Sequence, residues 1–415
     1  MSDDKRAMIL LTHSFPFGVG EEFIEHEMSY IAQRFDLTII TCNVEDPQTR
    51  MLPENVKVVR IKIPSWTAYG LIGKLKLILT NSVFYEIRGL ILSNDFSLSN
   101  LRETLRFARR ANVWAQAISA RIDTLSREDF IVYSYWLWEG ALGAVQCRRK
   151  AKNAVLVSRA HGYDVYRERK KSNYLPFRKY MGFHVNSIYF CSQHGARYFE
   201  STYGPFKKGH INVSYLGTPD HGLNPRKTCD YGKVVLFSCS KLIPLKRVEL
   251  IVAALSMVKK TEVSWIHAGD GPEYKEIEKL AEASLKDRNN VKYCFLGHMG
   301  NKVLLEYYSS HHIDLFINVS KTEGLPVTLM EAFSFGIPAI ATSVGGVPEI
   351  VDDTCGFLID ANPQVEQIAK TIEHFGSLNE AEKEVYRIAT RTKWENKFSA
   401  SRNFPKFIED ISKID

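Results

Sequence analysis

Two carboxylates stand eight positions apart in KTEGLPVTLMEAFSFG, Glu323 before a Gly324-Leu325-Pro326 turn and Glu331 after it. The run follows the strand-like IDLFINVS and leads into a helical pattern. Pro326 suits the first helical position, where its missing N–H is not needed. Gly324 lets the backbone come close to a ligand. The helix start offers unpaired N–H groups and the positive end of a dipole, and both attract phosphate. Glu331 lies about 7–8 Å further along the axis at ~1.5 Å per residue. That span is comparable to the one from a diphosphate to a nucleotide's ribose, whose two hydroxyls a carboxylate can accept. Glu323 is placed to accept hydroxyls of a sugar on the other side of the diphosphate. The plainer reading is one surface charge and one helix-face charge.

Other loops that follow strand-like runs supply partners. SCSKLIPLKR brings Lys241, Lys246 and Arg247 after VVLFSC, cations suited to a diphosphate leaving group. HAGDGP carries Gly269 and Gly271, FLGHMG carries Gly297, and SVGGVPEIV is a further glycine turn. In the first half, SRAHGYDVY sets His161 after NAVLVS, with Asp164 close behind. HSFPFGVGEEF half-matches a dinucleotide fingerprint with Gly18 and Gly20, but its sixth position is Phe23 and no acid ends the next strand, DLTIITCN. An NAD site is therefore a poor fit. The loop reads instead as a lid, with Gly18, Gly20 and Asp164 on the acceptor side. Asp-x-Asp occurs nowhere, so no metal is expected, and Lys, Arg and the helix dipole must meet the charge of a leaving diphosphate.

These residues need a scaffold of strand ends. The chain has 415 residues, enough for two domains. Hydrophobic residues are 45% and charged residues 24%, with a net charge of +7 that suits anionic ligands or an anionic membrane surface. The densest basic run, RERKKSNY (167–174), lacks the length and aromatic interleaving of a nucleic-acid site, so no nucleic acid partner is expected. Seven cysteines form no Cys-x-x-Cys pair, and several lie in apolar runs such as YFCSQ, VVLFSCS and KYCFLG. Buried free thiols in a reducing cytosol are expected. The start is not a signal peptide, and the uncharged stretch 332–348 is broken by glycines and prolines, so the expected location is cytoplasmic.

Strand-like runs alternate with helical ones in both halves, which predicts βαβ units and mostly parallel sheets. The expected organisation is an N-terminal domain over 1–217, a linker over 218–232, a second domain over 233–394 and a C-terminal helix over 395–415. The two doubly wound domains would face a central cleft, where ligands of such sheets gather. AYGLIGKLKLILTNSVFYEIRGLIL (68–92) is apolar with Lys74, Lys76 and Arg88 interspersed. The region 68–93 reads either as a helical insertion packed on the sheet or as a basic amphipathic pair lying on the inner face of a membrane.

Taken together, the motifs resemble the retaining glycosyltransferases of family 4, which have the two-domain GT-B fold. Glu323 and Glu331 match that group's Glu-x7-Glu motif. SKLIPLKR matches its Gly-Arg-Leu-x-x-x-Lys-Gly segment, with Ser240, Lys241 and Arg247 replacing the first Gly, the Arg and the last Gly. AGDGP, FLGHMG, SVGG, HSFPF and RAHGYD also match in order, the last with the family's active-site histidine at His161. The segment around Trp394 to Phe404 resembles the helix that crosses back to the N-terminal domain. The resemblance implies transfer of a sugar, with retention, from a nucleotide-sugar held by the C-terminal domain to an acceptor held by the N-terminal one. A UDP-sugar is the first expectation and GDP-mannose the second. No cofactor or metal is implied. His161, Glu323 and Lys246 would serve the reaction centre, and Lys241, Arg247, Gly269, Gly271, Gly297, Gly324, Leu325, Pro326 and Glu331 the donor. The implied acceptor is a saccharide, carried on a polyprenyl lipid in cell-surface polysaccharide synthesis. The alternatives are a nucleotide-sugar epimerase or hydrolase on the same scaffold, and a non-catalytic sugar-nucleotide binder.

Overall fold

The computed structural model describes residues 5–21, 23–65, 77–125, 129–150, 153–225 and 232–414. The chain forms two compact units, Met1–Ser214 with Phe404–Asp415, and Tyr215–Asn403. The first unit is built on strands β1 (Ala7–Thr12), β2 (Asp36–Thr41), β3 (Lys57–Arg60), β4 (Phe130–Ser134), β5 (Val155–Ala160), β6 (Ser187–Phe190) and β7 (Ile211–Val213). They pair in parallel in the order β3-β2-β1-β4-β5-β6-β7. Runs such as AMILLT and FIVYS are buried along their whole length, as parallel strands covered on both faces must be. The helices are α1 (Ile24–Arg34), α2 (Asn81–Leu92), α3 (Leu98–Ile122), α4 (Glu139–Gln146), α5 (Gly162–Val165), α6 (Arg178–His184) and α7 (Gln193–Tyr203).

The second unit repeats the plan with β8 (Lys233–Cys239), β9 (Glu262–Ala268), β10 (Val291–Gly297), β11 (Leu315–Asn318), β12 (Ala339–Thr342) and β13 (Gly356–Ile359). Their order is β10-β9-β8-β11-β12-β13, again parallel. Its helices are α8 (Val248–Met257), α9 (Tyr274–Leu285), α10 (Asn301–Ser310), α11 (Val327–Ser334), α12 (Val347–Ile350), α13 (Val365–Ser377) and α14 (Glu380–Lys397). The last helix, α15 (Ala400–Ser412), belongs to the second unit up to Asn403 and to the first from Phe404. Strand order reverses between β1 and β4 and between β8 and β11. Chain leaving these neighbouring strands diverges and opens a crevice at their carboxyl ends.

Three expectations are corrected. Cys294 is exposed, because β10 is an edge strand and alternation turns this side chain outward. The expected linker begins as an ordered arm of the second unit. Asn224 donates to the Tyr308 and His311 carbonyls at 2.6 and 2.7 Å and accepts from Ile313 N at 3.0 Å, and residues 226–231 lie outside the described residues. Pro326 caps α11 from outside, and the helix starts at Val327. Of the region 68–93, residues 68–76 with Lys74 and Lys76 also lie outside the described residues. In the remainder Leu77, Val83 and Leu90 pack into the core, while Leu79, Phe84, Ile91 and Leu92 are exposed.

A buried ion pair holds α15 against the first sheet. Arg159 on β5 meets Glu27 on α1 at 3.2 Å, both side chains fully buried. Arg159 Nε donates to Tyr133 Oη at 2.9 Å, and Tyr133 Oη donates to Glu27 at 3.1 Å. The guanidinium lies over the Phe407 ring at 4.0 Å. Burial works most strongly against its charge, but Glu27 together with Tyr133, Tyr135 and Cys191 outweighs it and holds Arg159 well above its ordinary range. Phe404, Phe407, Ile408 and Ile411 are all buried, at the i, i+3, i+4, i+7 spacing of an apolar helix stripe. Glu27→Ala leaves a buried guanidinium unpaired and should cost about 3–5 kcal/mol of stability. Chemical denaturation checks this, and a loss near zero would show that the pair does not carry the packing of α15.

Candidate active site

In the second unit the site forms at the crevice between β8 and β11. The loop after β8 carries Lys246 and the loop after β11 carries Glu323, and their side chains meet at 2.5 Å. Asn318, at the end of β11, reaches the same carboxylate oxygen at 3.5 Å, and its own oxygen accepts from Ser320 N at 3.0 Å. Glu323 is nearly buried. Its backbone is fixed by the glycine turn after β12: Gly346 N donates to Gly324 O at 2.8 Å, and a Cβ on Gly345 would overlap Glu323 O. Gly345 sits at φ +53, where only glycine is unstrained.

Glu331 projects from α11 into an almost fully buried position and accepts from Asn301 Nδ2, at the start of α10, at 2.6 Å. Burial pushes its carboxyl up to about 7, against the lowering effect of Asn301. Leu325 is buried, and Pro326 ends the turn at the start of α11, whose first N–H groups have no partner within the helix. Lys241 stands exposed on the loop after β8. The structure thus brings Lys246 and Glu323 together, while Glu331 is buried on α11 against Asn301.

Arg247 has another task than the one expected from sequence. It takes the left-handed conformation, φ +51, and its guanidinium donates to the carbonyls of Val319, Ser320 and Ala361 at 2.8, 3.0 and 2.8 Å. These bonds pack the loop and leave the cation little freedom toward a ligand. Gly269 and Gly271 are likewise needed for packing, since a Cβ on either would overlap the carbonyls of Ser240 and Leu242. Gly297 takes φ +68 with open space around it, and its carbonyl accepts from Gly269 N at 2.8 Å.

The first unit holds the remaining expected residues. His161 follows β5 with its ring against Trp136, Tyr135 and Phe23 at centroid distances of 4.4, 5.1 and 6.0 Å. Both ring nitrogens are buried and unpaired among the described residues. Burial, with Arg159 nearby, lowers its pKa to about 3, so the ring is neutral. Asp164 is not on a lid. It is fully buried and accepts from His161 N at 2.5 Å and Leu137 N at 2.7 Å, tying β5 to the loop after β4. Burial raises its carboxyl to about 6.

The Gly18 and Gly20 loop is organised by an acid of the EEF run to which the sequence assigned no role. Glu21 accepts from His13 N, Ser14 N, Ser14 Oγ, Phe15 N and Trp136 Nε1, between 2.5 and 3.1 Å. It joins the loops after β1 and β4 at the point where strand order reverses. Gly18 has φ +62, and a Cβ there would collide with the Asp46 carboxylate. Beside this loop a cavity of ≈ 380 Å³ opens at the carboxyl ends of β1, β2 and β3. Asn301, Asn318 and Trp136 were also passed over, because asparagine and tryptophan after strands carry no motif of their own. Among the described residues no three His, Cys, Asp or Glu side chains gather as metal ligands, and no helix is long and apolar enough to cross a membrane.

Similarity to known proteins follows this geometry. Residues 225–392 match the family model described as glycosyl transferases group 1. The N-acetyl-alpha-D-glucosaminyl L-malate synthase of Bacillus anthracis is 33% identical over 119 residues, 28% of this chain and 29% of the relative. The O-antigen biosynthesis glycosyltransferase WclY of Escherichia coli is 26% identical over 152 residues, 35% of this chain and 40% of the relative. The chain therefore spans well under half the length of these curated relatives. The structure of HepE from Anabaena in complex with UDP and glucose aligns with a TM-score of 0.67 at 16% identity, covering 98% of this chain and 100% of that one. The chain is thus a two-domain α/β protein of the GT-B fold, and residues 225–392 of its second unit match the group 1 glycosyl transferases.

Proposed function

We propose that the chain is a retaining, metal-independent glycosyltransferase of family 4 that moves a sugar from a UDP-sugar, or from GDP-mannose as the second choice, to a lipid-linked saccharide. The observation that carries this reading is the Lys246–Glu323 pair at the strand-order reversal of the second sheet. A cation and a carboxylate there can serve the two ends of one donor, the diphosphate and the sugar. Glu331 would accept the ribose hydroxyls, and the start of α11 would face the phosphates. HepE, of the same fold, is seen with UDP and glucose.

In the reaction, the acceptor hydroxyl oxygen bonds to the anomeric carbon on the face the diphosphate leaves. The bond from carbon to diphosphate oxygen breaks, and the departing diphosphate takes the hydroxyl proton. Lys246, with Lys241, offsets the charge that grows on that diphosphate. Glu323 orients the donor sugar. His161, neutral and with ring nitrogens unpaired among the described residues, would contact a sugar hydroxyl. Exposed Leu79, Phe84, Ile91 and Leu92 around α2, with exposed Arg88 on the same helix, suit an anionic membrane surface that presents a lipid-linked acceptor.

Lys246→Ala and Glu323→Ala should each lower kcat/KM for sugar transfer by at least ~100-fold with folding retained; unchanged transfer in either would remove these residues from the reaction. Epimer formed from a nucleotide-sugar without acceptor would replace the transferase reading with the epimerase one. Donor affinity should follow Glu331. If the ionised form accepts both ribose hydroxyls, UDP-glucose should bind about tenfold more weakly at pH 6 than at pH 8, since a group titrating near 7 is then about one-tenth ionised. Calorimetry across that range checks it, and Glu331→Gln should flatten the slope. Phe84→Ser with Leu92→Ser should reduce co-flotation with liposomes rich in anionic lipid, and wild-type protein that does not float would exclude the membrane contact.

A further inference from the structure

On the transferase reading above, we infer that the cavity at the carboxyl ends of β1, β2 and β3 takes the acceptor, and that it selects an uncharged terminal sugar rather than a phosphate or an acidic sugar. Its volume of ≈ 380 Å³ lies at the small end of the ~300–1,000 Å³ usual for ligand pockets. That fits a single terminal sugar.

The charges of the lining are balanced. Lys62 and Arg110 stand among the lining residues with Glu45 and Asp46, and Arg110 is already paired with the buried Glu139 at 2.7 Å. An anion entering here would meet two carboxylates and find no surplus cation. A sugar hydroxyl both donates and accepts, and this lining offers both kinds of partner, carboxylates to accept and cations to donate. Val44 and Ile63 supply apolar surface for the C–H face of a ring. The loop 43–46 is preformed, with Asn43 Oδ1 accepting from Glu45 N and Asp46 N at 3.3 and 3.1 Å.

The cavity is also joined to His161 within the same unit. Ser14, in its wall, is held by Glu21 through both its N–H and its hydroxyl. Glu21 also holds Trp136, whose ring lies 4.4 Å from that of His161. Three contacts, Ser14–Glu21, Glu21–Trp136 and Trp136–His161, therefore link the cavity wall to the residue proposed for the reaction centre.

Cys42 lines the cavity and reports its occupancy. Its thiol is raised to about 11 by burial first, so iodoacetamide labelling is run at alkaline pH, with exposed Cys294 as the internal reference. The probes are the methyl glycosides of glucose, galactose and mannose, methyl glucuronide, and inorganic pyrophosphate. At least one neutral glycoside should slow Cys42 labelling about fivefold at roughly four times its Kd, while the two anions leave it unchanged. Protection by glucuronide or pyrophosphate, or by no probe, would overturn the inference. Glu45→Lys, at an exposed loop position, should let pyrophosphate protect Cys42; continued rejection of the anion would overturn the role given to charge. Protein that transfers sugar while Cys42 stays unprotected loses this subsite and keeps the transferase reading. Protein that binds no nucleotide-sugar by calorimetry loses the transferase reading itself.

Discussion

One backbone approach sets the geometry of the second unit's site. The turn after β12 passes so close to the carbonyl of Glu323 that no side chain fits at Gly345. The Gly346–Gly324 hydrogen bond closes the same contact. Glu323 is therefore held by main-chain packing, which is stiffer than a side-chain contact, and its carboxylate has a fixed origin from which to meet Lys246. A loop able to drift would put the acid and the lysine at variable distance. Close approach also explains the glycines at 269 and 271, where the turns after β8 and β9 touch.

The first unit solves the same problem with buried carboxylates. Glu21 and Asp164 each gather N–H groups from two different loops, so that strand ends far apart in sequence share one anchor. Desolvation of each acid is partly offset by the hydrogen bonds it accepts. Glu27 does likewise for Arg159, and through it for Phe407. The wall behind His161 is thus set by acids that need touch no ligand.

Much of this was legible in the sequence because parallel sheets put their chemistry on loops after strands. IDLFINVS and VVLFSC are plain strands, so Glu323 and Lys246 had to lie at one edge of one sheet, and alternation of strand and helix was enough to predict two doubly wound domains. Residues whose role depends on a distant partner were not legible. Arg247 looked like a phosphate ligand because its partners, the carbonyls of Val319, Ser320 and Ala361, lie more than seventy positions away. Asp164 looked like a lid residue because burial cannot be read from a single acid in a loop. Asn301 carries no motif, yet it is the group that meets Glu331. Cys294 depended on which strand would be the edge, a matter of topology rather than pattern.

Arg247 has a further consequence. The position demands a left-handed backbone, which explains why the resembling family has glycine there, and arginine accepts the strain while anchoring three carbonyls. Two of those carbonyls, of Val319 and Ser320, lie just ahead of Glu323, and Lys246 is the residue next to Arg247. The loop of the cation and the loop of the acid are thereby bolted into a single body before any donor arrives. A ligand that spans them then loses little free energy to the ordering of two separate segments. On the transferase reading, tight donor binding would follow from rigidity supplied in advance, by a residue whose guanidinium is bonded to main-chain carbonyls.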